Sequence, residues 1–461
     1  MRHTARSWWL DEAGGVADPA PSLRGDVAAD VVVVGGGYTG MWAAWHLAGE
    51  GASVALVEAD VCGHGPSGRN GGFVEDVWLS LPSLVARSGE AGALAVGRAA
   101  EGSVRAIEAW CSSEGVDSWF RGGGQLVVST AAGFDGVGEE AAGVAASLGV
   151  ADRVVVLDGE DVAARCSSPV FRAGVWMPAG ATVQPARLAL GLRAALIARG
   201  VRVFEGTRVR RVADGRGVET DGGRVLASQV VLGAGGALAG FPPLRGRLTV
   251  ASSHIVLTEP VPDVLEAVGW TGGEAITDAR TLLHYFRTTR DGRIAFGWAG
   301  GRLAAGARLR GRIEVDPAVV AAAREHLVRI FPALRGRRIT HAWGGPIDIA
   351  PSRMVVTGSL PSGRVHFAYG YTGNGVGPSQ LAGRILASLA LDRRDEWTAL
   401  PIVDPPPERR VPPEPLRWLG GTAVLTAMKR AEAAEEAGRR ADPVTRFVAG
   451  LPRRLGITVG R

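Results

Sequence analysis

Three glycines near the start of the chain have the spacing of a phosphate-binding turn. Gly35, Gly37 and Gly40 form G-x-G-x-x-G immediately after four consecutive valines. The first glycine permits a tight turn, the second lets a pyrophosphate approach the backbone, and the third lets strand and helix pack closely. Tyr38 and Thr39 lie within this turn, and residues 41–47 are predicted to continue as a helix, whose first N–H groups have no partner within the helix and therefore suit phosphate oxygens. The spacing predicts a dinucleotide site, although a chain with 67 glycines can contain this motif by chance.

A carboxylate lies where such a site needs an acceptor for ribose hydroxyls. Residues 53–57 are predicted as a second strand, which ends at Glu58, eighteen residues beyond Gly40. A carboxylate at this place can accept hydrogen bonds from both hydroxyls of a ribose. Strand, helix, second strand and acid occur in the expected order, which favours a βαβ unit over residues 27–60 and a dinucleotide ligand.

A loop rich in glycine and in hydrogen-bond donors follows this unit. Ser67, Arg69 and Asn70 lie there among glycines that include Gly71 and Gly72. Backbone and side-chain donors in such number could wrap a large polar ligand, and loops of this kind commonly carry function. The alternative is a flexible surface loop without a ligand.

Two further strands run into glycine loops that can present their backbone to the same ligand. The apolar stretch 228–232 leads into Ala234 and Gly235. A predicted strand over 365–369 leads into a third loop, which precedes a helix that ends near residue 391. The positions of interest in this third loop are Gly373, Asn374, Gly375 and Val376.

The elements that must position these loops change in character along the chain. Helices are predicted over 83–114, 136–148, 186–199 and 317–330. Between 247 and 345 short strands alternate with turns, which favours an antiparallel sheet inserted into the nucleotide-binding unit. A Pro-rich linker over 401–415 precedes helical stretches over 416–438 and 443–455. This basic, Ala-rich tail could lie on a membrane or a partner, but packing on its own protein is the commoner outcome.

The composition of the 461-residue chain favours a globular protein of two domains. Hydrophobic residues make up 46% and charged residues 21%, which is ample apolar material for a core. The net charge of +5 is small and the basic residues are scattered, which argues against nucleic-acid binding. No apolar segment reaches the ~20 residues of a membrane span, and residues 1–15 do not resemble a signal peptide. Cys62, Cys111 and Cys166 lack metal-type spacing, which predicts no metal site, no disulfide framework and a reducing, cytoplasmic location.

In combination these loops resemble one family of redox enzymes. Three glycine loops behind a βαβ unit are similar to the FAD-dependent amine and amino-acid oxidases, which include D-amino-acid oxidase, glycine oxidase and sarcosine oxidase. Residues 67–72, Gly297 at the end of 291–297, and Trp343 with the two glycines after it look like signatures of the γ-glutamylputrescine oxidase branch. The resemblance covers roughly residues 7–400.

The resemblance implies an α/β fold with a glutathione-reductase-like, Rossmann-type FAD-binding domain and an inserted antiparallel β-sheet substrate domain. The FAD-binding domain would be discontinuous, built from residues 27–80, 165–245 and 346–395. The substrate domain would comprise residues 110–164 and 246–345. Residues 396–461 would form the Pro-rich linker and the helical C-terminal tail.

The resemblance also implies where FAD is held. The turn from Gly35 to Gly40, including Tyr38 and Thr39, would hold the pyrophosphate, Glu58 the adenosine ribose, and the backbone of Val209 the adenine. Further contacts, from the pyrophosphate along the ribityl chain to the flavin, would be Ser67, Arg69, Asn70, Gly71, Gly72, Ala234, Gly235, Gly373, Asn374, Gly375 and Val376. The last four would lie by the pyrimidine end of the flavin, where a helix N-terminus stabilises negative charge.

The chain departs from the family pattern at three places. Some relatives attach the flavin through a cysteine near the C-terminal glycine loop, but no cysteine follows Cys166, which implies non-covalent FAD. Sarcosine-oxidase-like members use a lysine over the flavin to promote reaction with oxygen. The only lysine here, Lys429, lies in the tail beyond the aligned region, so the electron acceptor is O2 or another acceptor. Asn374 stands where many relatives have histidine.

The implied reaction is hydride transfer from the carbon bearing an amine to flavin N5, followed by hydrolysis of the imine. It needs a neutral amine, close positioning and a dry pocket more than it needs a strong base. The candidate catalytic residues are His254, His284, Tyr285, Trp343 and Arg353.

Each of these candidates has a structural alternative. His284 and Tyr285 are neighbours on a predicted strand, so alternation should turn only one of them toward the flavin. His254 is equally well explained as a core histidine, and Trp343 as core packing instead of an aromatic wall beside the flavin. Arg353 could anchor a substrate carboxylate or form a surface salt bridge.

Two other readings of the site stay open at this point. An NAD-linked dehydrogenase would use the stretch from Gly35 to Glu58 equally well, but it has no need of the loops at 67–72 and 371–376. A non-catalytic flavoprotein would hold FAD for structure and use the tail to dock a partner. The substrate is predicted only as a small-molecule amine, and the oligomeric state is not predicted.

Overall fold

Two β-sheets of different construction organise the protein. The computed structural model describes residues 2–3, 6–306 and 308–455. The strands of the first sheet, in spatial order, are Arg202–Phe204, Val54–Val57, Val31–Val34, Gln229–Leu232, Val365–Tyr369 and Val356–Ser359. The first five are parallel, and the last pairs antiparallel at the edge. In chain order the parallel strands run third, second, first, fourth, fifth, which is the doubly wound arrangement.

The four valines of Val31–Val34 are explained by burial on both faces of this sheet. Val31 and Val33 pack against helices on one side, while Val32 packs in a separate apolar cluster on the other. A strand covered on both sides needs no polar alternation, so the apolar run is the expected sequence for a central parallel strand. The order of strands reverses beside this strand, and ligands of doubly wound sheets bind at such a reversal.

The second sheet has nine strands and is mixed. In spatial order they are Arg2–His3, Ile339–Ile349, Thr249–Thr258, Ile294–Trp298, His284–Thr288, Ala275–Asp278, Gln125–Val128, Gly174–Met177 and Val155–Leu157. Most neighbours are antiparallel, but two pairs are parallel: Arg2–His3 with Ile339–Ile349, and Ala275–Asp278 with Gln125–Val128. The expectation of a purely antiparallel sheet is therefore corrected.

Two strands of this sheet lie partly or wholly outside the segments that were predicted for it. Gly174–Met177 was assigned to the segment 165–245, yet it pairs with Gln125–Val128 in the nine-stranded sheet. Ile339–Ile349 runs without interruption across the predicted boundary at 345/346 and pairs along its length with Thr249–Thr258. Pairing between distant segments decides membership of a sheet, and the local sequence does not encode it.

Small sheets and helices complete the structure. The four-stranded sheet contains Val209–Ala213, Gly217–Thr220, Arg224–Leu226 and Val27–Ala28, and the two-stranded sheet contains Phe73–Val74 and Ala181–Thr182. The α-helices are Trp8–Glu12, Tyr38–Gly49, Leu81–Ser113, Glu139–Ser147, Gly159–Arg165, Pro185–Ala198, Pro262–Ala267, Pro317–Ile330, Val376–Ala390, Leu416–Glu436, Pro443–Ala449 and Leu451–Arg454. Short 3-10 turns are Pro66–Gly68, Trp78–Ser80, Ala132–Phe134, Ala151–Arg153, Gly235–Gly240, Pro242–Leu244, Gly311–Ile313 and Pro332–Leu334.

Two predicted helices are interrupted by glycine. Leu81–Ser113 contains Gly89 at φ 69°, a left-handed conformation that kinks the helix. The predicted helix over 443–455 is divided at Gly450, which ends Pro443–Ala449 and precedes Leu451–Arg454. Pro443–Ala449 packs against Leu416–Glu436 and against Leu451–Arg454.

The C-terminal tail packs on its own protein through Leu416–Glu436. Glu436 forms ion pairs with Arg280, at 2.6 Å, and with Arg329, at 3.0 Å. The ammonium of Lys429 donates a hydrogen bond to the carbonyl of Gly301 at 3.2 Å. In the described part of the chain, no helix has the length and apolar character to cross a membrane.

Candidate active site

The predicted phosphate-binding turn forms at the carboxyl end of the central strand. Gly35 has φ 106°, and a Cβ on Gly40 would lie 1.9 Å from the carbonyl oxygen of Gly35. Only glycine fits such an approach of backbone to backbone. The N-cap residue of the helix Tyr38–Gly49 is Gly37, which makes no side-chain hydrogen bond to the first N–H groups of the helix. Its first N–H groups are therefore available to a ligand, apart from that of Tyr38, which donates to the hydroxyl of Ser67 at 2.9 Å.

The side chains of Tyr38 and Thr39 point away from the turn. The Tyr38 hydroxyl is buried and donates to the carbonyl of Pro185 at 2.6 Å. The Thr39 hydroxyl lies 2.6 Å from the hydroxyl of Tyr371, which precedes the third glycine loop. The two hydroxyls therefore connect the turn to the surrounding structure.

Glu58 lies beside the turn, at the end of the neighbouring strand. One carboxylate oxygen accepts from the N–H of Gly36 at 2.7 Å, and the other accepts from the N–H of Asp60 at 2.8 Å. Burial raises the pKa of Glu58 above its usual value, against the effect of these two hydrogen bonds. The N–H of Thr207 donates to the carbonyl of Glu58 at 2.7 Å, which brings the segment leading to Val209 next to this acid.

The loop that contains residues 67–72 is held by hydrogen bonds, which argues against the flexible alternative. The Asn70 amide donates to the carbonyl of Ser67 at 2.9 Å, and its oxygen accepts from the N–H of Gly72 at 2.7 Å. Arg69 forms an ion pair with Glu314 at 3.0 Å, and both side chains are largely buried. Asn70 and Arg69 therefore shape this loop in addition to any contact with a ligand.

The second and third glycine loops meet the first at the same edge of the sheet. A Cβ on Gly233 would lie 2.6 Å from the backbone nitrogen of Gly40, so the loop leading to Ala234 packs directly on the turn. The helix Val376–Ala390 begins at Gly375 without a side-chain cap. A Cβ on Gly373 or Gly235 would meet no atom within 4 Å, so these two loops border open space.

A cavity of about 470 Å³ lies where the loop at 67–72 and the third glycine loop face the nine-stranded sheet. Its lining includes Arg69, Asn70, Gly71, Gly373, Asn374 and Val376 from the loops; Thr249, Ala251, Ser253, Ile255, Tyr285, Gly345, Ile347 and Ile349 from the sheet; Glu75, Leu303 and Arg353; and Gly420, Gly421, Val424, Leu425 and Met428 from the tail. The sheet contributes alternate residues of two paired strands, in which Ala251 lies opposite Ile347 and Ser253 opposite Gly345. One face of the sheet therefore forms one wall of the cavity.

Tyr285 is the predicted catalytic residue whose ring lies most clearly in this wall. The ring packs over Gly297, where a Cβ would lie 2.0 Å from it, and a Cβ on Gly71 would lie 3.0 Å from it. Because the Ser253 hydroxyl donates to the carbonyl of Trp298 at 2.9 Å, the Tyr285 hydroxyl is the donor in its 2.8 Å contact with Ser253. Burial raises the pKa of Tyr285 to about 12. The phenol is therefore neutral, and its oxygen can still accept a hydrogen bond from a ligand.

His284 lies on the opposite face of the same strand. Its ring lies 2.5 Å from a carboxylate oxygen of Asp278 and 2.8 Å from the ring of His326. His284 does not line the cavity. Alternation along His284–Thr288 separates the two neighbours as expected.

His254 and Trp343 also lie outside the cavity. His254 is fully buried on the far face of its strand, and its Nε2 accepts from the N–H of Asp316 at 3.0 Å. Burial lowers its pKa to about 4. Trp343 is fully buried in a core cluster with Trp9, and its indole donates to the carbonyl of Arg69 at 2.8 Å. Trp343 therefore supports the loop at 67–72 from the core and does not line the cavity, which corrects the expectation of an aromatic wall beside the flavin.

Arg353 lines the cavity, as one of its predicted roles requires. It is half-buried and has φ 61°, a left-handed conformation that is uncommon for arginine. Residues with such a backbone occur frequently at ligand sites, and they persist only where the surrounding structure holds them in that conformation.

Several cavity residues were missed by sequence reasoning. Ser253 had no local signal, because a serine in an apolar strand is read as a neutral position. Glu75 is nearly buried, and the side-chain amide of Gln125 donates to it. The tail residues lie beyond the stretch that resembles the family. The alternation of residues along the strand that contains Tyr285 was the sequence pattern able to indicate part of this wall.

Comparison with known proteins agrees with this geometry. A family model described as FAD dependent oxidoreductase, DAO, matches residues 30–389. The chain belongs to this family. The glycine cradle, the acid at its edge and the two uncapped helix N-termini fit the dinucleotide that the family binds, since backbone N–H groups and open glycine positions are what a pyrophosphate requires.

Relatives of known or suggested activity match most of this DAO-family chain. The chain is 29% identical over 398 residues to the probable oxidoreductase OrdL of Rhizobium meliloti (strain 1021), with 82% of this chain and 87% of that protein covered. It is 29% identical over 392 residues to gamma-glutamylputrescine oxidoreductase of Escherichia coli (strain K12), covering 83% and 89%. The crystal structure of glycine oxidase from Geobacillus kaustophilus superposes with a TM-score of 0.68 at 19% identity, over 84% of this chain and all of that one. The predicted family and its α/β fold are confirmed.

Proposed function

We propose that this DAO-family enzyme oxidises a C–N bond of a primary or secondary amine, or of an amino acid, to an imine. The observation that carries the proposal is the cavity in which the loop at 67–72 and the third glycine loop face a wall that presents Tyr285. FAD, when bound, would accept a hydride at N5 from the carbon that bears the nitrogen, and the imine would hydrolyse in water. The names of the relatives, a glutamylputrescine oxidoreductase and a glycine oxidase, support an amine or amino-acid substrate.

The strand order supports a glutathione-reductase-like arrangement for the FAD-binding part. The parallel strands run third, second, first, fourth, fifth, with Glu58 and the turn at Gly35 beside the reversal. In this arrangement the turn would hold the pyrophosphate and Glu58 the ribose. The free N–H groups at the start of the helix Val376–Ala390 would favour negative charge at the pyrimidine end of a bound flavin. FAD would be held without a covalent bond, because the three cysteines are buried and none lies in the cavity lining.

The cavity wall can hold a neutral amine and exclude water. The Tyr285 oxygen accepts a hydrogen bond from the substrate nitrogen while its proton stays on the bond to Ser253. Apolar neighbours such as Ile255 and Ile347 disfavour a charged ammonium, so the amine enters in the form from which hydride can leave. Arg353 is placed to meet a substrate carboxylate if the substrate has one.

The electron acceptor would be O2 or another acceptor. Lys429 packs outside the cavity lining, with its ammonium 5.0 Å from the centre of the Trp298 ring. Burial lowers its pKa from the usual value. It therefore does not take the place over the flavin that the oxygen-promoting lysine of some relatives would occupy. The cytoplasm stays the predicted location.

The test is anaerobic mixing of the purified yellow protein with a panel of primary amines, secondary amines and amino acids. Oxidation of a substrate by bound FAD bleaches the flavin absorbance near 450 nm, with repetition in air and peroxide detection reporting on O2. Bound FAD that no member of the panel bleaches would overturn the proposal and favour a non-catalytic flavoprotein. A colourless protein that reduces NAD would favour the NAD-linked alternative.

A further inference from the structure

The C-terminal helix Leu416–Glu436 forms one side of the cavity, although it lies outside the residues that match the family model. Its cavity-lining residues include Gly420, Gly421, Val424, Leu425 and Met428. These positions recur at intervals of three or four residues and therefore lie on one face of the helix. From Gly420 onward the face is apolar, with Arg417 at its N-terminal end, and a Cβ on Gly420 would meet no atom within 4 Å.

The wall opposite this helix is also apolar. Leu303, Ile347 and Ile349 line it, and a Cβ on Gly421 would meet the Leu303 side chain at 2.4 Å. The helix and this wall thus approach each other closely at the Gly421 end. The described lining contains four charged residues, Arg69, Glu75, Arg353 and Arg417, of which Arg69 is paired with Glu314 and Arg417 with Glu414. These two arginines are already neutralised by carboxylates and do not demand a charged substrate.

Two glutamates of the helix attach it to neighbouring segments of the protein. Glu432 accepts a hydrogen bond from the N–H of Leu282 at 3.0 Å, and Glu436 pairs with Arg280 and Arg329. Neither glutamate lines the cavity. The helix is therefore fixed through one set of positions and turns its apolar set inward.

We propose that Leu416–Glu436 is the substrate-selecting wall of the enzyme and that it favours amines with an extended apolar substituent. This inference rests on the proposed function. A substrate whose nitrogen meets Tyr285 would place its substituent along the apolar face of the helix at Val424, Leu425 and Met428. Each methylene buried there contributes by removal of apolar surface from water, which raises affinity about fourfold per CH2.

The test measures binding of straight-chain primary amines, from ethylamine to octylamine, to the holoenzyme by the change they cause in the flavin spectrum under anaerobic conditions. In the wild type, affinity should rise with chain length. Val424→Trp fills the cavity and should weaken binding of the longest amines at least tenfold while leaving ethylamine within about twofold. Ala423→Trp adds the same bulk at the neighbouring, exposed position and should keep the wild-type dependence.

Val424→Ala provides a second variant that cannot clash. It should retain FAD and weaken binding of the longest amines severalfold, because contacts are removed and none are added. Wild-type affinity that is independent of chain length, or equal loss of long-chain binding in the Val424 and Ala423 variants, would overturn the inference. Bleaching of the flavin is recorded in the same samples, so a failure of the proposed function is recognised separately from a failure of this wall to select substrates.

Discussion

At the scale of single residues, the direction of a side chain decides its role more than its chemistry does. Tyr285 and His284 are adjacent, yet one lines the cavity and the other contacts Asp278 and His326 on the far side of the sheet. His254 is likewise an ordinary buried histidine, with its ring over Gly344. Histidines attract functional assignments because of their pKa, but burial lowers the pKa of His254 to about 4, which removes that use at this position.

Substitution of Tyr285 by Phe should weaken amine binding and slow flavin reduction by about 2- to 10-fold, as expected for one hydrogen bond. The pKa of Tyr285 is about 12, so its phenol does not ionise between pH 6 and 10. The rise in reduction rate with pH, which follows deprotonation of the amine, should therefore occur at the same pH in both proteins. Stopped-flow reduction across this pH range measures it, and a shift of that rise in the variant would show that Tyr285 acts as the titrating base.

Gly40→Ala should weaken FAD binding about tenfold or more, because the new Cβ would lie 1.9 Å from the carbonyl oxygen of Gly35 and must displace the turn. Gly65→Ala is the matched control, since a Cβ there meets no atom within 4 Å. Titration of the apoprotein with FAD measures both. Equal affinities in the two variants would contradict a pyrophosphate site at this turn.

At the scale of elements, packing against neighbours determines which glycines of a helix are replaceable. Leu81–Ser113 contains Gly97, where a Cβ would lie 2.3 Å from the buried indole of Trp78, and Gly102, where it would meet nothing within 4 Å. Both have the same intrinsic helix propensity. The structure around them, and not the local sequence, separates them.

Gly102→Ala should raise the free energy of unfolding by about 0.5–1 kcal/mol, because alanine restricts the unfolded chain and favours the helix. Gly97→Ala should lower it by about 1–3 kcal/mol, because Trp78 must move to admit the methyl group. Thermal unfolding of the two holoproteins side by side gives the comparison. Two changes of the same sign would show that helix propensity alone governs this helix.

At the scale of the whole molecule, the proposed cofactor site joins segments from widely separated parts of the chain. The turn at Gly35, the loop at Gly235 and the loop at Gly373 come together at one edge of the six-stranded sheet. A ligand that binds all three stabilises the folded state, because the unfolded chain cannot present them together.

Removal of FAD should therefore lower the unfolding temperature by several degrees, and its return should restore it. With free FAD at 100 times its dissociation constant, the stabilisation is about 2.7 kcal/mol. Thermal unfolding of the apoprotein against FAD concentration measures the effect. NAD at equal concentration is the control, and equal stabilisation by NAD would contradict the assignment of the site to FAD.

The sequence by itself was enough to predict the glycine turn at Gly35–Gly40, the position of Glu58 beside it, and the family. Such motifs are local: a tight turn needs glycine, and a strand buried on both faces needs an apolar run, so spacing along the chain is enough to predict them. Most helices were predicted within a few residues for the same reason. The limits of the two large sheets were predicted less well, because Gly174–Met177 and Ile339–Ile349 take their places by pairing with distant strands.

Only the tertiary structure decided which candidates line the cavity. It placed Tyr285 and Arg353 in the lining, removed His254, His284 and Trp343 from it, and added a helix from the tail. Long-range packing orients a side chain and positions a terminal helix, and neither is encoded by the residues nearest in sequence. The turn at Gly35–Gly40 could be predicted because the close contact between Gly40 and Gly35 that requires glycine lies within the turn. The cavity lining, in contrast, is assembled from strands and a helix that meet only on folding.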